Sequence, residues 1–97
     1  IVTPYIKDDR TSVYAQYSIR CQDRDILIKR LNKNGIPTAI HYPMPLHLQE
    51  CFAYLGYKEG DFEISEKVSK EIMSLPMSPF LGEEEQDEII KTVKSLE

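Results

Sequence analysis

Val13-Tyr14-Ala15-Gln16-Tyr17-Ser18-Ile19-Arg20 is the stretch that decides the fold. Its odd positions, Val13, Ala15, Tyr17 and Ile19, are apolar, while Tyr14, Gln16, Ser18 and Arg20 are polar or amphipathic. That period of two predicts a strand with one face in a core. The other face carries Gln16 and Arg20, which either meet water or line a groove. A helix follows to about Asn34, with Asp23 as its N-cap and Asp25 in the first turn, where the macrodipole favours a carboxylate. Leu27, Ile28 and Leu31 form its inward stripe, and Gly35 closes it by accepting the left-handed conformation. Residues 38–40 (Thr38, Ala39, Ile40) then read as a second short strand, because two β-formers flank a small residue and Pro37 sits where no ladder donor is needed. The two strands of this strand-helix-strand unit are either parallel or separated by another strand in the sheet.

On the N-terminal side, residues 1–6 read as the tail of a strand and residues 7–11 as a polar surface turn. Beyond the unit, Leu48, Phe52 and Leu55 predict two irregular helical turns ended by Gly56. Asp61 is expected to cap a third helix, in which Ile64, Val68 and Ile72 recur every four residues as a core stripe. Pro76 and Pro79 stop helical structure, so residues 75–77 are expected as a short edge strand. The last helix is expected over residues 83–96. Glu83, Glu84 and Glu85 crowd its first turn, Lys91 and Lys94 its last, and Ile89, Ile90, Val93 and Leu96 face the sheet. Together these elements predict an α+β domain: a small, mainly antiparallel sheet of three or four strands covered by three or four helices.

A chain of 97 residues accommodates one small domain. Twelve basic against sixteen acidic residues, with no basic block, give a net charge of −4 and exclude a nucleic-acid surface of the usual kind. No apolar run approaches the ~20 residues that span a bilayer. Cys21 and Cys51 match no metal or redox spacing and read as reduced thiols of a cytoplasmic chain. The opening Ile1-Val2-Thr3-Pro4-Tyr5 has neither an initiator methionine nor a charged leader and reads as the interior of a longer chain. In isolation the domain is expected to self-associate through an apolar face bearing Ile1, Val2 and Tyr5.

Recognition chemistry is concentrated in Pro37-Thr38-Ala39-Ile40-His41-Tyr42-Pro43-Met44-Pro45-Leu46-His47, which holds both histidines of the chain. Pro43 and Pro45 fix their own φ and push Tyr42 and Met44 toward extended geometry, making a stiff loop at a strand end. Such a loop loses little entropy when a ligand docks, although tyrosine and histidine beside prolines also serve simply to cap a core. The spacings of His41, His47 and Cys51 fit no common metal site. The residues alone identify no nucleophile–base pair and no phosphate loop. On those grounds a stand-alone module that binds a small ligand or dimerises, without catalysis, is an open reading.

The run "YAQYSIR" at Tyr14 to Arg20, Arg24-Asp25, Gly35-Ile36, His41-Tyr42-Pro43 with Leu46-His47, Gly56-Tyr57, Ser65-Glu66, Leu75-Pro76-Met77 and Glu83-Glu84-Glu85 resembles the DegT/DnrJ/EryC1/StrS family. These are pyridoxal-phosphate-dependent aminotransferases acting on nucleotide-linked keto sugars. The resemblance runs from about residue 11 to the end and departs at Gln16, where many relatives carry histidine, and at Glu63, where proline is common. It implies the C-terminal small domain of a fold-type-I aminotransferase, a homodimer that passes an amino group, commonly from glutamate, to a nucleotide-sugar substrate. It places pyridoxal 5'-phosphate and the Schiff-base lysine in a large domain outside this chain, so that Lys29, Lys33 and the other lysines have no catalytic role and the fragment alone is inactive. The substrate-binding residues it implies are His41, Tyr42 and His47, the last also readable as a structural residue opening the next helical turn.

Overall fold

The computed structural model describes residues 1–95; Leu96, expected on the inner face of the last helix, lies outside them. Two strands, β1 (Tyr17–Arg20) and β2 (Ile72–Leu75), pair antiparallel in the register Tyr17↔Leu75, Ser18↔Ser74, Ile19↔Met73, Arg20↔Ile72. Single antiparallel bridges flank them, Val2 to Arg20 on one side and Ala39 to Ser74 on the other. The expected antiparallel α+β sheet is therefore four segments wide, but only its two central segments extend beyond one bridge. The segments of β1 and Ala39 do not touch, because β2 lies between them.

Alternation divides this sheet into two faces. Tyr17, Ile19, Met73 and Leu75 point one way, toward α1 (Arg24–Lys33) and α3 (Glu83–Ser95). There Ile19, Leu27, Leu31, Ile36, Met73 and Val93 form the buried core, with Tyr17, Cys21, Ile28, Leu75 and Ile89 packed at its edge. Ser18, Arg20, Ile72 and Ser74 point the other way.

α1 ends as its sequence requires. Gly35 has φ +76°, its amide bonds Asn32 O, and the Ile36 amide bonds Leu31 O, which is the double closure of a Schellman turn. The same turn brings Ile36 onto Leu31 in the core. Asp23 does occupy the N-cap, but its backbone carbonyl, not its carboxylate, receives the Ile26 and Leu27 amides. In α3 the Glu85 carboxylate reaches back to the Gly82 amide at 3.0 Å and caps the helix start.

Several expectations are corrected. The strand expected from Val13 begins only at Tyr17; Val13 is 94% exposed and Tyr14 has φ +46°, which takes residues 13–16 out of the ladder. The strand expected at residues 75–77 is displaced to Ile72–Leu75, so Ile72 belongs to β2 and not to the helix. α2 (Glu63–Glu71) passes straight into that strand with no intervening loop. Its N-cap is Phe62, while the Asp61 carboxylate receives the Lys58 amide in the preceding loop. The turns after the proline loop are 3₁₀ in two pieces, Leu46–Leu48 and Glu50–Leu55, interrupted at the extended Gln49 and ended by Gly56 at φ +77°. Ile90 is 41% exposed and borders a surface pocket with Tyr17 and Leu75 of the sheet.

Two stability predictions follow from this core. Leu31→Ala, at a position with no exposed area, should lower unfolding free energy by about 2–5 kcal/mol in urea titration, whereas Val13→Ala should change it by less than about 0.5 kcal/mol. Ile1, Val2 and Tyr5 are all exposed, and sedimentation of the isolated chain should show its mean mass rising with concentration.

Candidate functional site

The proline loop and the apolar stripe of α2 border an open cavity of about 600 Å³, to which the sheet contributes Ile72. Ile64, Val68 and Ile72, expected as core, line it instead, and Ile64 is 82% exposed. What α2 buries against the rest of the fold is polar: Glu66 and Ser69. Periodicity located the stripe; it could not tell whether protein or open space would lie against it.

Opposite α2, the proline loop supplies His41, Tyr42, Met44, Pro45, Leu46 and His47, so the three predicted residues are brought to one wall. Phe52, Leu55, Tyr57 and Phe62 close the end. No lysine, arginine or carboxylate lines the cavity. Its character is apolar, with a few hydrogen-bonding groups.

Each predicted residue is held differently. His41 is half-buried, and its Nδ1 lies 3.2 Å from the Ser74 hydroxyl, which is itself 2.9 Å from the Ser18 hydroxyl. Tyr42 is 70% exposed and stands edge-on to the His41 ring at 5.5 Å. The side chain of His47 is only 7% exposed, and its ring packs edge-to-face on Phe62 at 4.9 Å, with Tyr57 on Phe62 at the same distance. His47 Nε2 is buried 3.5 Å from Glu66 Oε2, within ion-pair range but without hydrogen-bond geometry.

Glu66 is the residue the sequence reading passed over. Its carboxylate receives the Gly60 amide at 2.8 and 3.1 Å and the Phe62 amide at 3.2 Å, satisfying donors that open α2 where no N-cap side chain does so. The Gly60 amide chiefly holds its carboxyl below the ordinary glutamate value; desolvation opposes this, and the Phe62 amide and His47 assist. The available signal was a glutamate one turn into a helix whose cap position is apolar, a variant of the capping box.

Around the sheet, Arg20 places both Nε and Nη2 on Glu71 Oε2, at 3.0 and 2.8 Å. Arg24 spans from Asp25 to the Ser69 carbonyl. These pairs tie α2 to β1 and α1. Gln16, at the departure from the family pattern, is exposed and outside the cavity wall.

Comparison with known proteins adds an independent line. A model of the DegT/DnrJ/EryC1/StrS aminotransferase family matches residues 1–94. The chain is similar to the "pleiotropic regulatory protein" of Geobacillus stearothermophilus, with 48% identity over 93 residues, 96% of this chain and 25% of that protein. It is also similar to the UDP-2-acetamido-2-deoxy-3-oxo-D-glucuronate aminotransferase of Pseudomonas aeruginosa, with 40% identity over 81 residues, 84% of this chain and 22% of that one. Among solved structures, S. venezuelae DesV superposes with a TM-score of 0.93 and 29% identity, over 98% of this chain and 26% of that one. The chain spans about a quarter of the length of the curated relatives it matches.

The Glu66 clasp has a pH signature. Because its folded value is depressed, the stabilisation is complete above the ordinary glutamate range and is lost as pH falls through the lowered value. Glu66→Gln should therefore melt at lower temperature than the parent near neutrality, and the two melting curves should converge in acid. Melting temperatures that stay parallel across the pH series would remove Glu66 from this role.

Proposed function

The chain belongs to the DegT/DnrJ/EryC1/StrS aminotransferase family, and on that premise we propose that it is the C-terminal small domain of an enzyme that moves an amino group, with glutamate as donor, onto a nucleotide-linked keto sugar. The family is pyridoxal-phosphate-dependent in general. The observation that carries the reading is the cavity that gathers His41, Tyr42 and His47 on one wall in a chain with this family match.

The residues present do not make a cofactor site by themselves. No lysine lines the cavity to bind the cofactor aldehyde, and no carboxylate lines it to face a pyridine nitrogen. The proposal accordingly assigns pyridoxal phosphate to a large domain, and the part played by this chain is binding and orientation. An apolar wall with ring donors and no fixed charge suits the neutral sugar or base of a nucleotide sugar better than its diphosphate. His41 and the Tyr42 hydroxyl bond sugar oxygens, Ile64, Val68 and Ile72 give flat apolar contact and exclude water, and His47 keeps the wall in shape through Phe62 and Glu66.

The proposal includes a homodimer, supported by the uncovered apolar residues Tyr42, Leu46 and Ile64 on the rim of the cavity. It also includes a cytoplasmic setting, where nucleotide sugars are made. Among the described residues no helix is long and apolar enough to cross a membrane. A relative that is named as an aminotransferase of a UDP-linked oxo sugar acid supports the substrate class.

In the full-length protein, the cofactor's absorbance band should shift on adding glutamate. His41→Ala and Tyr42→Phe should keep that shift while raising KM for the nucleotide sugar by about tenfold, the loss of one or two hydrogen bonds. Absence of a glutamate-sensitive band would overturn the enzyme reading. Variants with unchanged KM would move the sugar elsewhere.

A further inference from the structure

Resting on the reading of this cavity as the sugar site, we propose that Glu66 is a positioning residue for His47. Its carboxylate holds the neutral imidazole with the proton on Nε2. Nδ1 then meets the ligand as a hydrogen-bond acceptor, and the ligand group against it is a donor, a sugar hydroxyl.

Short local pieces bring the two side chains together. Pro45 starts a single 3₁₀ turn, Leu46–Leu48, which carries the His47 ring against Phe62. Phe62 is also the N-cap of α2, and Glu66 stands one turn further on. From there Glu66 reaches back to the Gly60 and Phe62 amides, which fixes its carboxylate beside the ring. The side chains of His47 and Glu66 are only 7% and 10% exposed, and Nε2 lies 3.5 Å from Oε2.

The two ring nitrogens have different surroundings. Nε2 is sealed in, with the carboxylate as its polar neighbour. Nδ1 has no partner among the described residues, yet it is not sealed in as Nε2 is; the ring lines the cavity, and Nδ1 opens into it.

The carboxylate selects between the two neutral forms because it accepts and cannot donate. The Gly60 and Phe62 amides favour its ionised state. With the ring proton on Nδ1, the lone pair of Nε2 would confront Oε2 with no proton between them, at an atom that water does not reach. With the proton on Nε2, the positive end of the N–H dipole faces the negative charge. At 3.5 Å the contact is long for a hydrogen bond, but attraction between a charge and a dipole does not need contact distance and is strong where water is excluded. This form also leaves no donor unmet: the single ring proton faces Glu66, and only a lone pair opens to the cavity. A hydroxyl in place of the carboxylate could answer either form; a carboxylate answers one.

The consequence for recognition is a choice of atom. A hydroxyl proton satisfies Nδ1, whereas a keto oxygen or a phosphate oxygen would set acceptor against acceptor. His47 therefore reads a hydroxyl of the sugar, and the keto carbon and the diphosphate lie away from this end of the cavity.

The test uses the full-length protein labelled with ¹⁵N-histidine, His47 being assigned by its loss in His47→Gln. At a pH where the ring is neutral, Nε2 should resonate as the pyrrole-type nitrogen and Nδ1 as the pyridine-type. Glu66→Gln, which removes the charge, should move His47 toward a mixture of tautomers, and Glu71→Gln, which removes a carboxylate from the same helix, should leave the parent spectrum unchanged. Should Glu66→Gln fail to fold, the parent spectrum decides alone. A protonated Nδ1 in the parent, or a ratio indifferent to Glu66→Gln, overturns the proposal. The ligand probe is UDP-N-acetylglucosamine, a stable nucleotide sugar with free hydroxyls. At millimolar concentration it should move the Nδ1 signal upfield, and His47→Phe, which keeps a ring on Phe62 but removes the acceptor, should weaken its binding about 3- to 10-fold. An Nδ1 signal that stays in place, or an unchanged affinity, overturns the ligand half. The tautomer readout needs no catalysis, so its failure is distinct from failure of the aminotransferase reading.

Discussion

Ser74 is paired twice, and the rest of the structure depends on it. Through its backbone it joins β1 on one side and the approach to the proline loop on the other. Through its hydroxyl it touches a side chain from each. A slip of one residue in β2 would send Met73 to the cavity and Ser74 into the core, since side-chain direction alternates with period two. The apolar packing of Ile19 and Met73 forbids that slip. Core burial thereby fixes the register, and the register fixes where His41 stands.

α2 shows the same economy in reverse. A helix with one apolar and one polar face would ordinarily bury the apolar one. Here Glu63, Lys67 and Lys70 stay exposed while the edge carrying Glu66 and Ser69 goes inward, because those two find partners there: Glu66 the amides of Gly60 and Phe62, Ser69 the carbonyl of Glu66. With their bonds made, these groups do not carry the penalty of burial unpaired. The apolar face is then left to form the cavity wall. Arg20 on Glu71 and Arg24 on the Ser69 carbonyl hold the helix in that orientation from two other elements.

How much of this was legible follows the range of the forces involved. α1 and its Gly35 closure were readable because spacing, cap and turn chemistry are local and agree. α3 was readable for the same reason. Where the outcome turned on a partner distant in sequence, local pattern misled: the alternation at Val13 and Ala15 has no strand to pair with, and Ile72 continues the helical stripe while its backbone is claimed by Arg20 across the sheet. The site divided similarly. The proline loop announced itself by composition, and His41, Tyr42 and His47 do share a wall. Ser18, Ser74 and Glu66 did not stand out, because serine and glutamate are ordinary residues until a cross-strand neighbour or an orphan amide gives them a task.

The pairing of β1 with β2 has a consequence for how the chain reaches its fold. Ser18 and Ser74 are separated by 56 residues, so the sheet cannot zip up from a hairpin; it closes only when nearly the whole polypeptide has been gathered. Closure of so long a loop is paid in chain entropy before any ladder bond repays it, and such topologies fold slowly for their size. α1 and α2 can flicker early, but neither has a sheet to lie on until β2 arrives. β2 carries Met73 on one side and Ser74 on the other. Pairing of that one strand sets both the core contact of Met73 and the place of Ser74 beside His41.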